Sequence, residues 1–314
     1  MKIWESAIAR VVTKKSSPAV CLLILLPSLI LSPATLAQTA PAVSELNGKL
    51  DYAGGLMNSF EGHNFDGSIT LPVTHQFGFQ ADALYSRISD VSFYGGAGHF
   101  FWRDPSIGLF GLTSGYLYRD GVDTFQAGAE GEYYLNRFTF GLFAGVGQIK
   151  YDNAVPFIDT NPTKFIGRVS AGYYPINDLF ASASYTTAFG DNLVKGNLEY
   201  QTPINGLALT AEAALGNNGY DHLLFGVRYY FGGKKSLRER HRQDDPPSLM
   251  QQILHGLGVY GAEYNRKGNA YFLANPESGS WSGSDGYGLI VQRFSRPITV
   301  FPPFPPDPVS PPSP

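Results

Sequence analysis

The chain has 314 residues and a formal net charge of −3, with 16% charged and 14% aromatic residues. This mildly acidic balance excludes the basic surface that nucleic-acid binding requires. The one cysteine, Cys21, excludes a disulfide framework within the chain, so the stability of the protein has to come from another source.

Residues 1–37 predict a secretory signal peptide. Basic residues precede the apolar run AVCLLILLPSLIL (19–31), and the small residues Thr35 and Ala37 follow it. A basic head, a short apolar middle and a small-residue exit are typical of a signal peptide, here cleaved after Ala37. A membrane-spanning helix is the alternative, but it needs about twenty apolar residues and this run is shorter. Cys21 lies too early in the run to be a lipid-modified cysteine.

A lead-in over residues 38–47 precedes a long region in which apolar residues alternate with polar or small ones. FGFQADALYS (77–86) places Phe, Ala and Tyr on one face and Gln, Asp and Ser on the other, and FQAGAEGEYY (125–134) alternates in the same way. Alternation with a period of two predicts β-strands. Twelve such segments are predicted near 48–58, 65–73, 77–87, 93–103, 108–119, 123–134, 138–151, 163–174, 179–189, 193–202, 207–215 and 220–231.

The predicted strands fit a membrane barrel better than a soluble sandwich. Most reach the roughly nine to eleven residues that a tilted membrane strand needs, whereas sandwich strands average about six. Short turns alternate with longer predicted loops, of which KYDNAVPFIDTNPT (150–163) is the longest, and this predicts the short turns on the periplasmic side. Aromatic residues end the strands on one side and predict an interfacial girdle. Its representatives are Trp102, Tyr133, Tyr173 and Tyr229.

These patterns predict an all-β fold. The expected architecture is an antiparallel transmembrane β-barrel of about twelve strands over residues 48–232, followed by a C-terminal periplasmic tail. Pairing of the first strand with the last would leave no unpaired edge in lipid.

The segment GVRYYF (226–231) carries a family resemblance. Gly226, Tyr229 and Phe231 stand where the closing strand of bacterial outer-membrane β-barrel proteins, of the porin-like and small-barrel group, has its glycine and aromatic residues. The chain resembles this group as an architecture over residues 1 to about 232. The resemblance implies the outer membrane of a Gram-negative envelope, with membrane lipids and the barrel-assembly machinery as partners. In the family this signal usually ends the chain, whereas here 83 residues follow Phe231.

Residues 233–314 predict a basic linker and a Gly/Ser/Pro-rich tail that is separable from the barrel. The basic run after Gly233 either meets anionic headgroups or serves as a solvated linker. Within the tail, the segments LGVYGAEYN-RKG-NAYFLA (257–274) and GYGLIVQRF (286–294) also resemble strands. They predict a small periplasmic β-hairpin, or else an extension of the barrel to fourteen strands. The proline-rich end predicts an extended segment that reaches a periplasmic or cell-wall partner.

Charged residues on the inward faces of the strands are the candidate functional residues. Acids and bases together inside a narrow barrel suit a salt-bridged plug as well as a charged channel. The predicted lumen charges are Asp82, Glu130, Glu132, Arg168, Lys195, Glu199, Glu212 and Arg228.

The sequence leaves three functional hypotheses. The first is a small porin or channel for small solutes. The second is a structural anchor with a plugged lumen and a periplasmic tail. The third and weakest is a rim-located lipid or peptide hydrolase. Its candidate histidines are His63, His75, His99 and His222, of which His63 and His222 lie near the outer loops, but no nucleophile spacing supports it and no catalytic residue is assigned. The sequence predicts no cofactor, and no metal site, because no segment has a calcium-loop spacing.

Overall fold

The computed structural model describes residues 40–152 and 158–275, and the predicted signal peptide lies outside them. Twelve antiparallel strands form a closed barrel in which each strand pairs with its sequence neighbours and β1 pairs with β12. This confirms the predicted twelve-strand fold, and the alternative of fourteen strands is wrong. The strands are β1 (Asn47–Met57), β2 (Phe60–Pro72), β3 (Phe77–Ile88), β4 (Val91–Asp104), β5 (Gly108–Arg119), β6 (Val122–Leu135), β7 (Phe138–Tyr151), β8 (Thr163–Ile176), β9 (Leu179–Ala188), β10 (Asp191–Gln201), β11 (Leu207–Gly216) and β12 (Asp221–Phe231).

The outer face of the barrel is apolar. On β12, Phe225, Val227 and Phe231 are exposed, while the alternate residues His222 and Tyr230 are buried inside. Successive strand residues point to opposite faces, so one sequence pattern supplies both an exterior for lipid and an interior wall. A closed barrel satisfies every backbone group within its own ladder, which is the condition for strands to cross a bilayer.

The residues of the predicted closing strand and aromatic girdle all lie in the barrel wall. Phe231 pairs with Gly48 across the seam between β1 and β12. At Gly226 a side chain would collide with the carbonyl oxygen of Tyr52, so the seam requires glycine there. The four predicted girdle residues stand on the outward parity of their strands. They are Trp102, Tyr133, Tyr173 and Tyr229.

The chain enters the barrel wall at one end, and most connections at the opposite end are shorter than the predicted loops. Four of these six connections are two-residue turns, and only residues 152–162 form a long one. Asn58 and Ser59 both have positive φ, as tight hairpin turns require. The prediction of longer loops is therefore wrong at these four places. Lumen-facing polar residues such as Asn64 hide the true start of β2 at Phe60, because they resemble loop residues in sequence.

After β12 the chain returns into the barrel as two helices, α1 (Leu237–Gln243) and α2 (Leu249–Ala274). The N-terminal end of α1 lies at the rim where β12 ends, since the Arg238 N–H donates to Asn177 O in the β8–β9 turn. Helix α2 then follows the lumen, and the Tyr260 hydroxyl reaches Asp159 O at the opposite rim. Neither helix in this described region is both long and apolar enough to cross a bilayer.

The predicted β-hairpin at 257–274 is therefore wrong, and residues 237–274 are not a separable tail. The physical reason is that an isolated two-stranded hairpin is marginally stable in water, and the closed β1–β12 seam leaves no free strand edge for it to join. An apolar helix satisfies its own backbone and can fill the lumen instead. The segment GYGLIVQRF (286–294) and the proline-rich end lie outside the described residues.

Candidate functional site in the barrel lumen

All eight predicted lumen charges lie on the inner face of the wall. The structure joins most of them into local groups. Glu199 accepts from Arg228 Nη1 at 2.7 Å, and Glu212 accepts from Lys195 Nζ at 2.7 Å. Glu132 accepts from the Tyr134 hydroxyl. A role of these charges in solute selectivity stays a prediction.

A buried carboxylate–imidazole group anchors the start of α2. His99 Nε2 lies 3.0 Å from Asp82 Oδ2, and its Nδ1 lies 2.8 Å from Glu130 Oε1. Asp82 Oδ2 also accepts the backbone N–H of Leu249, the first residue of α2, at 3.1 Å. A carboxylate at a helix N-terminus satisfies an unpaired donor and complements the helix dipole. The sequence analysis missed His99 as the centre of this group, although it shares the inward parity of its strand.

The rim where the chain enters forms a polar zone, which we define as Lys49, Asp51, Glu199, Arg228, Tyr230 and Asp245. Arg228 Nε donates to both carboxylate oxygens of Asp51, at 2.7 and 2.8 Å. Tyr230 donates to Glu199 Oε1 at 2.7 Å, and its oxygen lies 3.0 Å from His241 Nε2 on α1. The wall charges therefore bind the returning chain as well as each other.

One ion pair of the polar zone joins the wall to the linker between the helices. Lys49 Nζ lies 2.8 Å from Asp245 Oδ2, and the side chains of both residues are less than a tenth exposed. Gln80 Nε2 donates to Pro246 O at 3.2 Å next to this pair. The linker is thus bound by side chains from different strands on the inner wall.

Further along the lumen, α2 and the wall form an apolar zone that resembles the core of a soluble protein. Burial of each large aliphatic side chain stabilises such a core by about 1.5–3 kcal/mol. The α2 members include Leu249, Met250, Ile253, Leu254, Leu257 and Tyr260, and the wall members include Met57, Ile88, Phe93, Leu117, Val122, Phe143, Ile149, Ile166, Phe189 and Leu193.

Two wall glycines make room for the helix. A Cβ at Gly115 would lie 2.9 Å from Ile253 Cδ1, and a Cβ at Gly95 would collide with Met250 Cε. Glycine within a strand often marks a close approach of another element, and at these two positions it allows close packing against α2.

A cavity of about 60 Å³ remains beside the helix, between the polar zone and the apolar zone. That volume holds a few water molecules. Its lining includes Asp51, Asp66, Glu212, Arg228 and Gln251. Elsewhere α2 packs against wall side chains in the apolar zone, so a helix occupies the lumen of the described barrel.

The two histidines that the hydrolase hypothesis places near the outer loops are not brought together. His63 lies on the outward parity of β2, where it contacts the Tyr52 hydroxyl and Glu61. His222 is buried in the lumen. No catalytic arrangement forms between two side chains on opposite faces of the wall.

A closed antiparallel barrel with an apolar exterior is the architecture of a transmembrane β-barrel. No protein-family model and no curated protein matches the chain. Among solved structures, the KdgM porin is 12% identical, with a TM-score of 0.44 over 59% of this chain and 99% of that porin. The NanC porin is 7% identical, with a TM-score of 0.42 over 59% and 98%. Omp33 of Acinetobacter baumannii is 15% identical, with a TM-score of 0.33 over 59% and 96%.

Proposed function

We propose that the protein is a small outer-membrane porin, a channel for small solutes, whose pore is closed by its own helix α2. The observation that carries this proposal is the charge on the inner wall around α1 and the start of α2. Ion pairs that stay buried permanently add little stability, and apolar residues of similar volume often replace them without loss. Charged side chains on the wall can select among solutes when water and solutes fill the lumen.

The route to the membrane belongs to the same proposal. A signal peptide cleaved after Ala37 takes the chain across the inner membrane, and the barrel-assembly machinery inserts it into the outer membrane. The alternating strands support this route because no long apolar run arrests them during export. The exposed apolar side chains of β12 and its neighbours then face the lipids.

A structural anchor with a plugged lumen is the second candidate, and the apolar zone favours it. Ile253, Leu254 and Leu257 are each at most 2% exposed, as in a permanent core. If this packing never opens, the barrel holds a position in the membrane and conducts nothing. The two candidates differ in one property, which is whether α2 can leave the lumen.

A reversible lock on α2 tests the choice. A Cβ at Gly256 would lie 3.2 Å from the Ala188 Cβ, near the roughly 3.5–4.5 Å of a disulfide. The variant Ala188→Cys/Gly256→Cys therefore ties the helix to β9, and cleavage after Ala37 would leave no other cysteine. We expect planar-bilayer conductance steps from the wild-type protein, none from the oxidised double variant, and steps again after reduction. Each single cysteine variant is the matched control.

A chain that ends at Lys235 supplies the complementary measurement. Without α1 and α2 we expect larger and steadier conductance than the wild type gives, because the lumen is no longer filled. Altered gel mobility without heating shows whether this shorter barrel has closed. A closed but silent short barrel would reject the channel and leave the anchor.

A further inference from the structure

We propose that Glu212, His222 and His255 bind a zinc-class divalent cation that fastens α2 to the barrel wall. Glu212 and His222 lie on the inner faces of β11 and β12, and His255 lies on α2. One ligand atom from each residue lies within 4.8 Å of the others. Two neighbouring strands and the returning helix thus bring nitrogen and oxygen donors close together.

The donor atoms that face one another are buried and close together, but they do not have the geometry of good hydrogen bonds. They are His222 Nε2, His255 Nε2 and Glu212 Oε1, and the two histidines are only 4% and 2% exposed. Glu212 Oε1 lies 3.0 Å from His222 Nε2 and 3.4 Å from His255 Nε2. These separations match the roughly 3.3 Å between ligands of a tetrahedral site with bonds of about 2.0–2.1 Å.

The second polar atom of His222 and that of Glu212 each contact a neighbouring wall residue. The Tyr220 hydroxyl lies 3.0 Å from His222 Nδ1, and Lys195 Nζ donates to Glu212 Oε2 at 2.7 Å. With Nδ1 engaged by Tyr220, the Nε2 of His222 is the atom left to bind a metal. Such outer partners orient ligands in metal sites. Glu212 also lines the cavity described above, whereas neither histidine does.

The donor set selects the class of cation. Two imidazoles and one carboxylate suit Zn²⁺ and its transition-metal neighbours, whereas Ca²⁺ and Mg²⁺ take oxygen ligands. The sequence predicts no metal site because it contains no short ligand motif, and the ligands here are brought together only by the return of α2 into the barrel.

A metal-free arrangement is the competing explanation. The Lys195–Glu212 pair could satisfy the wall alone, with the two imidazole rings merely packed at 4.5 Å between centroids. The two arrangements differ in a measurable way, because only the metal site needs His255 for binding. Metal content and stability are read without conductance, so this inference can fail while the channel proposal stands, and the reverse.

Zinc binding by the full mature chain, refolded in detergent without a histidine tag, is the test. After removal of metal with EDTA and dialysis against Zn²⁺, we expect one zinc per chain by elemental analysis. Co²⁺ should give the visible absorption of a four-coordinate site. His222→Ala and His255→Ala should each weaken Zn²⁺ binding at least ten-fold. His75→Ala, in an exposed turn, is the matched control and should bind as the wild type does.

The midpoint of thermal unfolding is a second measurement, and it remains informative if one of the variants folds poorly. Zn²⁺ should raise the midpoint of the wild type and of His75→Ala, and leave the midpoint of His255→Gln unchanged, while Ca²⁺ should shift none of them. Zinc content or zinc-dependent stabilisation that is equal in the wild type and the His255 variants would overturn the proposal. So would the absence of bound zinc in the wild type.

Discussion

The two ends of the lumen hold the returning chain in different ways. In the polar zone, charged wall residues such as Lys49 and Arg228 meet partners one by one. In the apolar zone, Ile253 and its neighbours on α2 pack against strand ends without directional contacts. Apolar packing depends on volume and resists local change, whereas a buried ion pair depends on both partners at once. One plug is therefore retained by two kinds of force that respond to different mutations.

The largest effect is expected in the polar zone, from loss of one ion-pair partner. Lys49→Met leaves the buried Asp245 carboxylate with only a long 3.5 Å contact from Ser68. We expect a loss of about 3–5 kcal/mol in the free energy of unfolding, measured by urea titration in detergent. Lys49→Met/Asp245→Leu should recover most of it, because neither charge then remains buried. If the free energy of unfolding of Lys49→Met lies within about 1 kcal/mol of the wild-type value, the Lys49–Asp245 pair is accessible to water. The proposed difference between the polar zone and the apolar zone would then be wrong.

A smaller effect is expected in the apolar zone, and it should respond to volume alone. Gly115→Ala places a methyl group against Ile253 Cδ1 and should cost about 1–3 kcal/mol by overpacking. Ile253→Val removes that Cδ1 atom, so Gly115→Ala/Ile253→Val should cost less than the sum of the two single changes. Urea unfolding of the four proteins measures this coupling. Strictly additive costs would mean that the glycine does not set the distance between the helix and the wall.

The smallest effect is expected at the cap of α1. Ser236 Oγ accepts the Glu239 N–H, and Glu239 Oε2 accepts the Ser236 N–H, which together form a capping box. Ser236→Ala should cost about 1 kcal/mol and increase hydrogen exchange at the first amides of α1. Ser248→Ala, at the cap of α2, is the control and should leave α1 amides unchanged. Faster exchange throughout the barrel would mean that α1 is not an independent local element.

The same cap has a predictable dependence on pH. The hydrogen bonds from Ser236 hold the pKa of Glu239 below its usual value. A carboxyl with a lowered pKa in the folded state stabilises above its unfolded pKa and loses that effect as pH falls through the folded value. Acidification should therefore lower the protection factors of the first α1 amides, which correct for the slower intrinsic exchange at low pH, in the wild type and less so in Glu239→Gln.

The strands could be predicted from the sequence because their signal is local. Alternation around Phe79 and Asp82, and again around Val227 and Arg228, needs no knowledge of the rest of the chain. Long strands and aromatic ends then favoured a membrane barrel. Turn length was harder to predict, because Asn64 and Asp66 are polar whether they stand in a loop or face the lumen.

The returning helices were missed even though the sequence carries their signals. Ser236 and Glu239 have the spacing of a capping box, and Leu249, Ile253 and Leu257 repeat every four residues after the N-cap Ser248. Three glycines between His255 and Ala262 lower the helix propensity of this segment, so its sequence also fits the alternation of a β-strand. Whether such a helix leaves the barrel or enters it depends on the free lumen width, which the shear of the barrel sets and no local pattern reveals.

The lumen charges were predicted by parity, whereas their partners could not be. Glu212 and Lys195 are assigned to one face by alternation, but their contact depends on the register between β10 and β11. His255 joins Glu212 only because α2 enters the barrel in one direction. Contacts between elements far apart in sequence follow from register and packing, and these are properties of the whole fold.

The position of the plug after the last strand constrains the order of assembly. The β1–β12 seam is the final closure of the wall, and the segment that fills the lumen is synthesised only after β12. Either the seam closes around helices already folded against the inner face, or residues from 249 onward thread through a finished ring. The first route makes α2 a template on which the strands gather, and the second makes it a late insertion against a completed backbone ladder. Folding of this topology therefore requires the placement of α2 in the lumen as well as closure of the wall. The wall glycines that α2 approaches closely affect this step as well as the final packing.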